Sequence, residues 1–123
     1  MISKALACAH EAVRRAKRDE LFYAQSLLEN LRSYMVQIED WLCSFEPVTV
    51  ADFKIEHRIS DRLRAALVLS YVPLEATALE AATIKLSNLL SEQIVELHNR
   101  FDLHRSLEND AYAVEIVAKQ LIG

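Results

Sequence analysis

The chain has 123 residues, 52% of them apolar, and carries a formal net charge of −4. The length fits one domain, the apolar content excludes a disordered chain, and the excess of acid disfavours nucleic-acid binding by the surface as a whole. The single glycine is the last residue, so the chain lacks the Asn-Gly and Asp-Gly pairs on which tight β-hairpins depend. We therefore expect one all-α domain over residues 1–123.

The first predicted helix is defined by a heptad-like apolar seam. Eight apolar residues between positions 21 and 45 follow one another at alternating steps of three and four, which is typical of a helix that packs along its whole length. They are Leu21, Ala24, Leu28, Leu31, Met35, Ile38, Leu42 and Phe45. Among the outer positions, Arg32 and Asp40 are expected to face solvent, and the pair Glu39-Asp40 also resembles surface.

The seam changes phase near the start of this helix. Residues 6–16 show the same apolar spacing, but the step from Ala16 to Leu21 is five residues. Such a step fits either a stutter within one helix or the end of a short first helix. Because neither Gly nor Pro lies in this stretch, we predict one continuous helix over residues 3–45.

Two prolines divide the rest of the chain. Pro47 ends the first helix, because the residue before a proline is pushed out of the α region, and Thr49 resembles the N-cap of a second helix over residues 50–71. Pro73 either kinks a longer helix or starts a new one, and we predict a short turn followed by a third helix over residues 73–104. A C-terminal helix of roughly 12 to 16 residues would follow, unless the third helix continues through it.

Short connections make consecutive helices antiparallel neighbours. The predicted fold is therefore an elongated antiparallel helical bundle of three long helices plus a short C-terminal helix. The first helix is roughly twice as long as the second, so a monomer would leave part of the seam exposed. Because exposed apolar stripes mark interfaces, we expect dimerisation, or a helix of another protein, to complete the bundle.

Protein–protein interaction without catalysis is the function that this architecture favours, by analogy with small helical bacterial or phage proteins that act as adaptors, inhibitors or chaperones. The seam would contact a second copy of the chain, as a homodimer, or an unidentified protein, through coiled-coil-like helix packing. Aromatic side chains on one flank would serve as anchors. The predicted contact residues are Leu28, Leu31, Tyr34, Met35, Ile38, Trp41, Leu42 and Phe45.

A cluster of cations on the first helix supports one alternative, a regulator that binds the phosphates of a nucleic acid. The cluster consists of Arg14, Arg15, Lys17 and Arg18. Neither interleaved aromatic residues nor the glycine of a helix-turn-helix accompanies it. Acidic residues nearby offset much of the charge, so we favour a solvated helix face with local ion pairs.

A second alternative is a metal-dependent helical-bundle enzyme that would use His98, Asp102 and His104, with His57 as a further ligand. His98 and Asp102 are four residues apart and therefore share a helical face. The chain, however, contains no Glu-x-x-His pair of the kind that di-iron bundles use. We therefore assign no catalytic residue, no cofactor and no metal site.

The apolar runs of the chain are short. None exceeds five residues, the length of Ala65–Leu69, whereas a helix that spans a bilayer needs about 20. Charged residues such as Glu11 and Arg14 also follow the N-terminus too closely for the apolar core of a signal peptide. The expected location is the cytoplasm, without membrane contact.

Overall fold

The computed structural model describes residues 2–44 and 59–100, and every regular element within these two ranges is a helix. In chain order the helices are α1 (Ile2–Lys17), α2 (Leu21–Ser44), α3 (Asp61–Ser70) and α4 (Ala76–Arg100). The predicted all-α fold is confirmed for this part of the chain. The predicted helix start near Thr49 and the predicted C-terminal helix lie outside the described residues.

The predicted continuous helix over residues 3–45 is wrong, because a three-residue turn separates α1 from α2. Within that turn Asp19 adopts a φ of 62°, in the left-handed region. The Glu20 N–H donates to the Arg15 carbonyl at 2.9 Å, and the Asp19 N–H donates to the Ala16 carbonyl at 3.0 Å. These two bonds form the Schellman motif that closes a helix C-terminus. The five-residue step in the seam is therefore a helix end, in which Asp19 takes the place usually held by glycine.

Two substitutions of Asp19 test this turn. In the left-handed conformation a Cβ atom costs free energy that glycine avoids, so Asp19→Gly should be more stable than Asp19→Ala by about 1 kcal/mol. Urea denaturation followed by circular dichroism measures the difference. A continuous helix would give the opposite order, because glycine in a helix interior is about 1 kcal/mol worse than alanine.

The second predicted helix is also interrupted. Ile59 and Ser60 are not helical, and Ser60 is the N-cap of α3, where its hydroxyl oxygen accepts a hydrogen bond of 3.2 Å from the Leu63 N–H. Serine favours this position because its side chain satisfies a backbone donor that has no partner within the helix. One uninterrupted helix over residues 50–71 is therefore wrong.

The predicted turn between α3 and α4 is confirmed, and it is longer than expected. The Glu75 N–H donates to the Pro73 carbonyl at 2.8 Å, and the Leu79 N–H donates to the Glu75 carbonyl at 2.9 Å as α4 begins. Pro73 therefore neither kinks a helix nor occupies its first turn. The helix predicted to start at residue 73 is α4, and it starts at Ala76.

Hydrogen bonds between helices show the directions of α2, α3 and α4. The Gln93 side-chain amide donates to the Met35 carbonyl at 3.1 Å, and the Arg100 guanidinium donates to the Leu42 carbonyl, both across 58 residues of sequence. An equal separation at both contacts means that α2 and α4 run in the same direction. α3 runs opposite to α4, because its first turn lies beside the later turns of α4 and its last turn beside the earlier ones.

The buried core lies mainly between α1, α2 and α4, and α3 packs against α4 and adds Leu63 and Leu67 to the core. Because α1 folds back along α2, the single helix over residues 3–45 on which the expected length mismatch rested is not present. Dimerisation itself stays a prediction. Among the four helices described, none combines the length and the apolar character needed to cross a membrane.

Candidate interaction surface

The apolar seam of α2 faces the interior of the chain's own fold. Five of the eight predicted contact residues are at most 4% exposed, and two aromatic residues, Tyr34 and Trp41, are half-buried against the same core. The five are Leu28, Leu31, Met35, Ile38 and Leu42. The eighth, Phe45, lies outside the described residues. These five side chains belong to the chain's own buried core. The contact predicted for the eight residues stays a prediction.

A different apolar surface lies at the C-terminal end of α3 and in the turn that follows. Four large apolar side chains within seven residues are exposed there, and we name them together the α3-end surface. They are Val68 (66% exposed), Leu69 (68%), Tyr71 (62%) and Leu74 (41%). Elsewhere in the described ranges only Phe22, Tyr23 and Val95 are large, apolar and exposed. More than half of the exposed large apolar side chains thus belong to one short segment.

The apolar run Ala65–Leu69 explains why this surface is exposed. Five consecutive residues extend over more than one helical turn, so they cannot all lie on the stripe that faces the core. Leu67 is buried and Ala66 half-buried, whereas Val68 and Leu69 face solvent. The contact residues predicted from the sequence do not include this surface, although the length of the apolar run was a signal for it.

The buried side chain of Arg32, on α2, fixes the end of α3. Its Nε donates to the Ser70 hydroxyl and its Nη2 to the Ser70 carbonyl, both at 2.7 Å. Its Nη1 donates to Glu29 at 2.7 Å, and its Cζ lies 3.9 Å from the centre of the Tyr71 ring. One guanidinium therefore donates a charge-assisted hydrogen bond to a carbonyl at the end of α3 and makes a cation–π contact with one face of the Tyr71 ring.

Glu39, also on α2, holds the other end of α3. Its carboxylate accepts hydrogen bonds from the Ser60 N–H at 3.2 Å and from the Ser60 hydroxyl. A negative charge thus lies at the N-terminus of α3 and the positive charge of Arg32 at its C-terminus, the arrangement that the helix dipole favours. Both ends of α3 are anchored to α2, so the α3-end surface has a fixed position and direction.

The prediction that Arg32, Glu39 and Asp40 face solvent is wrong, since each is at most 4% exposed. The two ends of α3 lie against the side of α2 that carries Arg32 and Glu39. The polar groups of Ser60 and Ser70 supply hydrogen bonds that offset the cost of burying these charges. The seam spacing alone could not reveal this, because it does not show which helix lies over the polar side.

An apolar cleft of about 120 Å³ lies between α3 and α4, beside the α3-end surface. We name it the α3–α4 cleft, and it is lined by Ala66, Leu69, Ser70, Ala82 and Lys85. Leu69 belongs to both features. Lys85 is exposed and places a positive charge at the edge of the cleft.

The predicted basic cluster lies at the end of α1, where part of its charge is paired. Arg14 forms an ion pair of 2.8 Å with Glu11, and Arg15 forms one of 2.8 Å with Glu20. The hydrogen bond to Glu20 raises the pKa of Arg15 above its usual value, and the Arg15 guanidinium lies 4.7 Å from the Tyr23 ring centre. Arg15 therefore joins the end of α1 to the turn before α2, whereas the Arg14 pair lies within α1. The others, Lys17 and Arg18, are exposed.

The predicted metal ligands are not brought together in the part of the chain that the structure describes. His98 is half-buried near the end of α4. Asp102, His104 and His57 lie outside the described residues. In residues 2–44 and 59–100, no three His, Cys, Asp or Glu side chains are close enough to hold a metal ion.

No protein-family model matches this sequence, and no curated protein or solved structure matches it significantly.

Proposed function

We propose that the chain is a non-enzymatic protein-interaction module of the cytoplasm, of the adaptor, inhibitor or chaperone type, and that the α3-end surface contacts the partner. The observation that carries this proposal is the group of four exposed large apolar side chains in residues 68–74. Exposed apolar side chains that are contiguous, unlike scattered ones, mark sites of interaction. The proposal therefore keeps the predicted function and moves the contact from the seam of α2 to the end of α3.

The anchoring of α3 supports this proposal. Ordering flexible side chains on binding costs about 0.5–1.5 kcal/mol for each one, and a surface that is already ordered avoids part of that cost. Arg32 holds both the last carbonyl of α3 and the ring of Tyr71. Tyrosine is also enriched among the residues that dominate binding energies, because its large ring has few rotatable bonds. Tyr71 is therefore the expected centre of the contact.

The two alternative functions have less support from the described residues. Nucleic-acid binding relies on cations that are free to contact phosphates, whereas Arg14 and Arg15 are already paired with carboxylates. A metal-dependent enzyme would need ligands of which only His98 lies in the described part of the chain. The α3-end surface, by contrast, is apolar and complements another apolar protein surface.

Partner capture with a charged variant tests the proposal. The double variant Val68→Asp/Leu69→Asp places two carboxylates in the centre of the α3-end surface, so we expect captured partner to fall at least about tenfold. Its free energy of unfolding should change by less than about 1 kcal/mol, since both positions are exposed. Crosslinking in cells that express the tagged chain, followed by quantitative mass spectrometry, measures the captured protein.

Phe22→Asp is the matched control, because Phe22 is 81% exposed but lies in the first turn of α2, away from the end of α3. It should capture the same proteins as the wild-type chain. Equal capture by the wild-type chain, the control and the double variant would contradict the proposal.

A further inference from the structure

We infer, on the basis of the proposed function, that the occupant of the α3-end surface is a second copy of this chain. In the inferred dimer, a two-fold axis parallel to α3 relates the protomers, and Tyr71 of each protomer packs into the α3–α4 cleft of the other. Two features carry the inference. They are the shapes of the two flanks of the surface and the charges at their edges.

The two flanks of α3 have complementary shapes. On the α2 side, the Tyr71 ring projects from the surface with one face on Arg32, and the side chain is 62% exposed. On the α4 side lies the α3–α4 cleft. One of its lining residues is Ser70, which directly precedes Tyr71 in the sequence. The projection and the cleft are therefore at the same level along α3. In a two-fold dimer each flank meets the opposite flank of the partner, so the same contact forms twice.

The size and chemistry of the cleft suit an aromatic ring. The cleft has a volume of about 120 Å³ and is lined mainly by the apolar side chains of Ala66, Leu69 and Ala82. An apolar cavity of about 150 Å³ holds benzene, so a cleft of about 120 Å³ that opens to solvent can accept part of a tyrosine ring. Since the cleft opens to solvent, the Tyr71 hydroxyl would remain near water at its edge.

The charges at the two flanks are also complementary. Glu29 lies on the Tyr71 side, where it bonds Arg32, and its side chain is 54% exposed. Lys85 lies on the cleft side and forms no ion pair with a described residue. The symmetry that brings Tyr71 to the cleft also brings Lys85 towards the partner's Glu29, once in each direction. Opposite charges that meet twice across a two-fold axis favour self-association over a partner of unrelated charge.

Sedimentation equilibrium of the full chain over a wide concentration range tests this dimer. The wild-type chain should dimerise reversibly. Lys85→Glu would create two pairs of facing carboxylates, and Glu29→Lys would create two pairs of facing ammonium groups. Each variant alone should therefore show a dimer Kd raised about tenfold or more. An equimolar mixture of the two should recover a Kd within about threefold of wild type, because both contacts then join opposite charges.

Tyr71→Ala and Val95→Ala provide a second comparison that does not change charge. Tyr71→Ala removes the side chain that enters the cleft and should be monomeric at concentrations where the wild-type chain is dimeric. Val95→Ala changes an exposed apolar residue of α4 that lies beside Arg62, at the other end of α3, and should keep the dimer. Circular dichroism melting shows whether each variant folds. If Glu29→Lys does not fold, because it loses its bond to Arg32, then Lys85→Glu and Tyr71→Ala decide the question.

A wild-type chain that stays monomeric at every concentration would overturn the dimer. So would a dimer whose Kd is unchanged by Lys85→Glu or Tyr71→Ala, and so would a mixture of folded charge variants that does not associate. A monomeric wild-type chain that captures a different protein through the α3-end surface would overturn this inference and leave the proposed function standing. A monomeric wild-type chain that captures no protein through this surface would overturn the inference and the proposed function.

Discussion

Leu31→Ala is expected to lower the free energy of unfolding by about 3–5 kcal/mol. Leu31 lies in the middle of the α2 seam, is fully buried and belongs to the core formed with α1 and α4. Truncating it removes apolar contacts and leaves a cavity that rigid neighbouring helices can fill only in part. Urea or thermal denaturation followed by circular dichroism measures the loss, which should lower the Tm by roughly 10 °C or more.

Leu69→Ala is the matched control, because the same atoms are removed from a side chain that is 68% exposed. It should change the free energy of unfolding by less than about 1 kcal/mol. Comparable losses in the two variants, or a larger loss for Leu69→Ala, would mean that the seam of α2 is not the core and that the exposed surface lies elsewhere.

Arg32→Ala is expected to lower the free energy of unfolding by about 2–3 kcal/mol. The substitution removes two charge-assisted hydrogen bonds to Ser70 and leaves the Ser70 carbonyl without its side-chain donor. It also removes the cation that supports the Tyr71 ring. Denaturation measures the loss. Hydrogen exchange should show faster exchange in the last turn of α3, because its anchor on α2 has been removed.

Two further variants show whether the effect belongs to this anchor. Arg14→Ala removes an exposed arginine whose ion pair with Glu11 lies within α1, and it should cost less than about 0.5 kcal/mol. Arg32→Lys keeps the charge but lacks the planar fork that reaches both Ser70 oxygens, so its stability should lie between wild type and Arg32→Ala. If Arg32→Ala is as stable as Arg14→Ala, Arg32 does not anchor α3.

Composition and apolar spacing predicted the helical class and the buried side of α2, because both depend on local propensity and on helical periodicity. The end of α1 was missed because helix ends are usually recognised by glycine, and here Asp19 adopts the left-handed conformation instead. The start of α3 was missed because Ser60 acts as an N-cap in the middle of an otherwise helical pattern.

The candidate surface was less predictable than the helices. The burial of Arg32 and Glu39 depends on a helix that follows them in sequence and packs over their side of α2, so no local pattern around residues 32–39 indicates it. The five-residue apolar run of α3 was visible in the sequence. Which of its residues would face solvent depended on where α3 lies against α2 and α4.

Partner capture by Leu31→Ala and by Val68→Asp/Leu69→Asp, measured side by side at a temperature where both are folded, tests the proposal that the seam of α2 stabilises the fold and the α3-end surface binds. Leu31→Ala should capture its partner as the wild-type chain does despite its lower stability, whereas the charged double variant should lose capture while remaining as stable as wild type. Loss of capture by a folded Leu31→Ala, with full capture by the double variant, would contradict it.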